Sequence, residues 1–243
     1  MYNFLKSVAK NMLPKKVLIE NEENFRKLLM PLYTGKDHEC NVCGTRLKKF
    51  AALKNGDLIC PVCGALPRAR RLYILLESEF LKPNISVLDF SPLRILYRKF
   101  KKRKDITYFG SDFEGHFLSD YHYDITDIEN RSDAFDLIIC YHILEHIIED
   151  RQAMTELYRV LKNDGVVLIQ TPFKEGEVYE DYTITTQEER TKHFGQHDHV
   201  RIYSAQELEN RLKEAGFNTE IRTFKGDDYY GLTDQEKVII CRK

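Results

Sequence analysis

No stretch of this sequence stays apolar long enough to cross a bilayer, so hydropathy excludes a transmembrane helix. The opening residues, MYNFLKSVAKNMLPKK, lack the unbroken apolar core and small-residue cleavage site of a secretory signal, and a cytoplasmic protein is expected. Their apolar positions Phe4, Leu5, Val8, Met12 and Leu13 have helical spacing with lysines between them. That fits a helix packed on the rest of the protein, with a membrane-surface helix as the alternative. Neither sign of charge is in excess: 37 Lys and Arg against 38 Asp and Glu leave a formal charge of -1, and hence no bulk attraction to nucleic acid or anionic lipid. Internal repeats and low-complexity tracts are also missing. What remains is a globular composition, 42% hydrophobic and 31% charged over 243 residues, enough for one full domain beside a smaller module.

A secreted disulfide framework is missing too. Four of the six cysteines form two close pairs, Cys40-Asn-Val-Cys43 and Cys60-Pro-Val-Cys63, while Cys140 and Cys241 sit in apolar, strand-like runs. Such usage fits a reducing compartment and a metal. Each CxxC knuckle puts two sulfurs on one tight turn, so two knuckles offer four thiolates to a tetrahedral ion. Gly44 and Gly64 suit those turns, and Asn55-Gly56 is a hairpin signal between them. Structural zinc on Cys40, Cys43, Cys60 and Cys63 is expected, with an iron–sulfur cluster as the alternative. With no histidine and no open position, the site reads as structural.

Periodicity divides the chain into residues 1–37, mainly helical with breaks near Pro14 and Pro31, a zinc ribbon over 38–66, and a larger domain over 67–243. In the last, short apolar strands alternate with helices: ISVLDF, then PLRILYRKFKKR; ITYFGSD; a short YHYDIT; FDLIICYH, then MTELYRVLK; GVVLIQTP, then AQELENRLKEAGF ended by Gly216; and finally NTEIRTF and KVIICRK. This alternation implies βαβ units and a mostly parallel, doubly wound α/β sheet.

Residues 85–242 resemble a class I S-adenosylmethionine-dependent methyltransferase, in detail a bacterial subgroup with an N-terminal zinc ribbon. The carrying segments are VLDFSPLRIL (87–96), YFGSDF (108–113), YDITDI (123–128), FDLIICYHILEHIIEDRQAMTELYRVLKNDGVVLIQTP (135–172) and FGQHDHVRIY (194–203). The resemblance implies a seven-stranded Rossmann-like sheet and a cofactor site on Asp89, Phe90, Ser91, Asp112, Phe113, Asp124, Ile125 and Tyr141. Strand-end chemistry agrees, since open parallel sheets bind ligands beyond their carboxyl ends and a carboxylate after the second strand, here Asp112, can accept ribose hydroxyls. Asp124 with the Ile125 backbone is implied to face the adenine amino group, and Asp89 to order the methionine end. The chain departs from the family at the turn after its first strand: Asp89-Phe90-Ser91-Pro92-Leu93 contains no glycine.

Methyl transfer from a sulfonium asks the protein to align a nucleophile and, for a hydroxyl or protonated amine, to supply a base. Two clusters offer one. His142 follows the fourth strand, with Glu145 and His146 expected to begin the next helix. His197 and His199 lie in a long connection from Phe173 to Tyr203, expected to form a lid in which Arg201 holds an anionic substrate group. A metal on His197, Asp198 and His199 is conceivable, but no fourth ligand is evident. The expected acceptor is a hydroxyl on a small molecule or glycan precursor. One alternative is an RNA methyltransferase docking through its zinc module, Arg68, Arg70 and Arg71, and the basic run Arg94–Lys104. That run also reads as a solvated helix face, and the Asn/Asp-Pro-Pro-Tyr/Phe signature of nucleobase amino-methylating enzymes is absent. The other is a non-catalytic binding platform.

Overall fold

The computed structural model describes residues 21–28 and 30–243, so the helix expected over residues 4–13 and the break at Pro14 lie outside the described residues. Two compact units make up the chain. One takes the described residues up to Glu79 together with Lys225–Glu236, and the other Phe80–Phe224 with Lys237–Lys243. The first unit thus takes in the whole of a helix over Pro67–Leu75 and a late segment beyond the 38–66 stretch expected of the ribbon.

In the first unit, helices α1 (Glu22–Lys27) and α2 (Met30–Tyr33) precede strand β1 (Thr34–Cys40), which pairs antiparallel with β2 (Thr45–Leu47). Strands β3 (Ala51–Ala52) and β4 (Leu58–Ile59) form a second hairpin, turned at Gly56 with φ 89°. Helix α3 (Pro67–Leu75) begins with proline in its first turn, where no amide bond is lost, and continues as a π turn over Leu76–Phe80. Its Arg70 is fully buried. The guanidinium donates to the carbonyls of Leu58 (2.9 Å), Ala65 (2.6 Å), Tyr230 (2.8 Å) and Gly231, and lies 4.1 Å over the Phe50 ring. Gly231 has φ 60°, and a Cβ there would lie 2.5 Å from the Phe50 ring, so only glycine closes this knot.

The second unit is built on a six-stranded sheet in the order β11-β12-β8-β7-β5-β6. Its strands are β5 (Ser86–Phe90), β6 (Thr107–Ser111), β7 (Phe135–Tyr141), β8 (Leu161–Gln170), β11 (Asn218–Phe224) and β12 (Glu236–Arg242). Pairs β5–β6, β5–β7 and β7–β8 are parallel, and β12 runs antiparallel to β8. The expected seventh strand, around residues 121–124, is reduced to one parallel bridge between Ser111 and Tyr121. The Asp124 carboxylate explains the loss: it accepts from the Thr126 amide (2.8 Å) and hydroxyl (2.7 Å), an Asx turn that competes with a ladder. Helices α4 (Arg94–Phe100), α5 (Asp150–Val160), α6 (Gln187–Phe194) and α7 (Ala205–Glu214) complete the unit. Met154, Leu157 and Val160 of α5 are fully buried in one core with Leu88, Ile138, Val167 and Ile239 of the sheet, as the helical spacing requires. From β5 the chain adds β6 on one side and later β7 on the other, so the order reverses between β5 and β7. No helix among the described residues is long and apolar enough to cross a membrane.

Candidate functional site

The four paired cysteines of the first unit converge. Cys40 Sγ lies 3.6 Å from Cys63 Sγ and Cys43 Sγ lies 3.9 Å from Cys60 Sγ, and all four sulfurs fall within 4.8 Å of one another. Thiolates about 2.3 Å from a tetrahedral zinc stand about 3.8 Å apart, so the cluster fits that ion. The amides of Gly44 and Gly64 close the knuckles onto the carbonyls of Cys40 (2.7 Å) and Cys60 (2.9 Å), with φ of 70° and 83°. A zinc on four thiolates would carry net negative charge, and the buried Arg70 interacts electrostatically with all four cysteines. Burial lowers the Arg70 pKa while the cysteines pull it back up.

In the second unit the reversal of strand order opens between the ends of β5 and β7, where such sheets bind ligands. Both ends carry a non-glycine residue in the left-handed region: Ser91 with φ 44° and His142 with φ 57°. Each costs about 1–3 kcal/mol, strain that collects at functional sites. Ser91 thus adopts by strain what a glycine would adopt freely. Its hydroxyl donates to Asp112 Oδ1 (2.7 Å), and Asp112 Oδ2 accepts from the amides of His116 (2.6 Å) and Phe117 (3.0 Å). Asp112 is therefore a carboxylate at the second strand end, already oriented for hydroxyl and amide donors.

The other expected cofactor residues are placed less directly. Asp89 lies within β5, buried, and accepts from the Tyr108 hydroxyl at 2.7 Å; burial pushes its pKa up to about 7 against that hydrogen bond. Asp124 Oδ1 is taken up by its own turn. Phe90, Ile125 and Tyr141 are buried, and Phe113 is exposed. Of the three acids, only Asp112 is bonded directly to the turn after β5.

The two histidine clusters meet. His142 takes its backbone bond from the end of β8, its amide donating to the Gln170 carbonyl (2.7 Å), and its Nδ1 lies 3.3 Å from Glu145 Oε1. Leu144–His146 is a 3-10 turn, and helix α5 starts only at Asp150, so Glu145 and His146 stand before that helix rather than in it. The Val200 amide donates to the Glu145 carbonyl (2.9 Å) and draws the second cluster in. The His146 and His199 rings meet edge to face at 4.7 Å, and His146 Nδ1 lies 3.4 Å from Asp198 Oδ2. Burial, and then the neighbouring His146, hold His199 below the usual imidazole range. His197 is exposed, with its Nδ1 3.9 Å from Asp198.

Arg201 has a different role from the one expected. It is fully buried and donates to the carbonyls of Leu144, Ile147 and Ile148 and to Glu180 Oε2 (2.9 Å), so it binds protein rather than a substrate anion. The long connection is folded: β9 (Tyr179–Glu180) pairs antiparallel with β10 (Arg201–Ile202), and between them α6 is capped by Thr186 and ended by Gly195.

Two residues escaped the sequence reading. Gln170 Oε1 and Thr171 Oγ1, at the end of β8, are buried atoms without a hydrogen-bond partner among the described residues, as are His142 Nε2 and both Glu145 carboxylate oxygens. The signal was available, since Gln-Thr is where the apolar run GVVLIQTP turns polar at its carboxyl end.

A family model described as a methyltransferase domain matches residues 64–220, more than half of the chain. No curated protein matches. Among solved structures, a chain from the complex between the Haloferax volcanii Trm112 methyltransferase activator and a methyltransferase is similar at TM-score 0.50 and 13% identity, covering 70% of this chain and 88% of that one. Haemonchus contortus phosphoethanolamine N-methyltransferase 2, in complex with S-adenosyl-L-methionine, is similar at TM-score 0.50 and 17% identity, covering 72% of this chain and 52% of that one. At these identities the likeness is one of fold.

Proposed function

This chain belongs to the methyltransferase-domain family, and on that premise we propose that it moves a methyl group from S-adenosylmethionine to a hydroxyl of a small molecule or glycan precursor. The observation that carries the reading is the set of unpartnered polar atoms at the ends of β7 and β8, His142 Nε2, Gln170 Oε1 and Thr171 Oγ1, beside the reversal of strand order. Asp112 is the residue to hold a ribose hydroxyl: a carboxylate offers about four lone-pair directions, and the Ser91 hydroxyl with the His116 and Phe117 amides leaves one of them open.

The cofactor supplies an electrophilic methyl on a sulfonium that leaves as a neutral thioether. The chain must then orient the acceptor and take its proton. Glu145, facing His142 Nδ1, favours the tautomer with the proton on Nδ1 and leaves Nε2 to accept. As the acceptor oxygen bonds to the methyl carbon, its proton passes to His142 Nε2. The Phe173–Tyr203 connection serves as the lid. The RNA alternative loses ground because its basic run is partly neutralised within the protein: Lys101 pairs with Asp120 (2.8 Å) and Arg103 with Asp105 (2.6 Å). We assign zinc to the four cysteines as a structural ion.

Calorimetric titration with S-adenosylhomocysteine tests the reading. Wild-type protein is expected to bind, and Asp112→Ala to bind at least about ten-fold more weakly through loss of charge-assisted hydrogen bonds. Labelled methyl is expected to enter hydroxylated acceptors rather than RNA, and His142→Ala to slow that transfer about 100-fold or more. Silence at millimolar ligand would leave a binding platform in place of an enzyme.

A further inference from the structure

Glu145 is 2% exposed, yet neither carboxylate oxygen accepts a hydrogen bond among the described residues. A buried carboxylate without hydrogen bonds is strongly disfavoured, and the His142 Nδ1 contact at 3.3 Å, near enough to bias that ring's tautomer, does not complete a hydrogen bond to it. A nitrogen of His146, a nitrogen of the buried His199 and a Glu145 oxygen all lie within 4.8 Å of one another. Asp198 stands behind His146 at 3.4 Å, as an outer carboxylate stands behind a metal-bound imidazole. The two loops are pinned together by the Val200 amide on the Glu145 carbonyl, so the donors converge through the backbone as well as the side chains.

We propose that Glu145, His146 and His199 form a binding site for a first-row divalent transition cation, distinct from the cysteine cluster. Two imidazoles and one carboxylate suit such an ion and leave further coordination positions open. The unmet carboxylate charge then has its counterion, and the two loops gain a cross-link. If the chain is a methyltransferase as proposed above, an open position would take the acceptor's hydroxyl oxygen and lower its pKa before His142 receives the proton.

The test uses the full chain with its cysteine cluster loaded with one zinc. Mn2+ is titrated in while its free-ion electron paramagnetic resonance signal is followed, and retained zinc is measured by elemental analysis. One further ion per chain is expected to bind. Glu145→Gln and His199→Ala are each expected to weaken it at least about ten-fold while the cysteine-bound zinc and the circular dichroism spectrum stay unchanged. His146→Gln serves if the buried Glu145 change prevents folding. No Mn2+ bound below millimolar concentration, or binding that survives the substitutions, overturns the site. S-adenosylhomocysteine binding on the same samples separates the two proposals: an ion bound without cofactor upholds the cation site and removes the methyltransferase reading.

Discussion

Asp89 sits between two parallel neighbours, facing Gly110 on β6 and Ile139 on β7, and burial there raises its pKa to about 7. An unfolded chain releases the same proton near pH 4. Between those two values the folded protein holds a proton that the unfolded chain has lost, so stability falls as pH rises through the window. Asp89→Asn removes the titration. The variant is expected to match wild type near pH 4 and to exceed it by roughly 4 kcal/mol at pH 8, read from urea midpoints. Parallel pH profiles for the two proteins would refute the buried, proton-holding Asp89. At the same scale, Ser91 shows why the missing glycine does not break the turn after β5: strain at φ 44° is held in place by its bond to Asp112.

At the scale of elements, the ordered return of the long connection depends on Arg201. From β10 it reaches Glu180 on β9 and three carbonyls of the segment after β7, while Arg211 on α7 shares Asp150 (2.6 Å) and Glu180 (2.8 Å). Replacing Arg201 with alanine leaves buried carbonyls and part of two carboxylates unmet. A loss of about 3 kcal/mol in urea unfolding is expected, with the His146 and His199 loops loosened. A change under about 1 kcal/mol would mean that Arg211 alone carries the network. The element that sequence pattern misjudged is the third strand, because Asp124 spends its carboxylate on a local turn.

For the whole molecule, one unit carries a four-cysteine cluster that fits a zinc ion and the other is built on an apolar core. Apart from β1, the strands of the first unit are two or three residues long, so if the cysteines hold the zinc proposed above, zinc binding and folding are expected to be one event there. A mercurial reagent should release one tightly held zinc as its four thiolates are titrated, with loss of the β1–β4 signals in an NMR spectrum. Release of no zinc, or folded ribbon signals without it, would contradict this.

Much of this was legible in the residues alone. Two CxxC knuckles bring four sulfurs together by local turns, and strands buried on both faces have to read as apolar runs, so the ribbon and the mostly parallel sheet follow from periodicity and spacing. Asp112 was visible for the same reason, as an acid just past an apolar run. The meeting of residues 142–146 with 197–199 was not visible, nor was the burial of Arg201. Both depend on how a long connection returns across the sheet edge, and nothing in the spacing of either cluster records that path. Only the closed chain decides which charges lose their water, and an unmet carboxylate such as Glu145 exists only once they have.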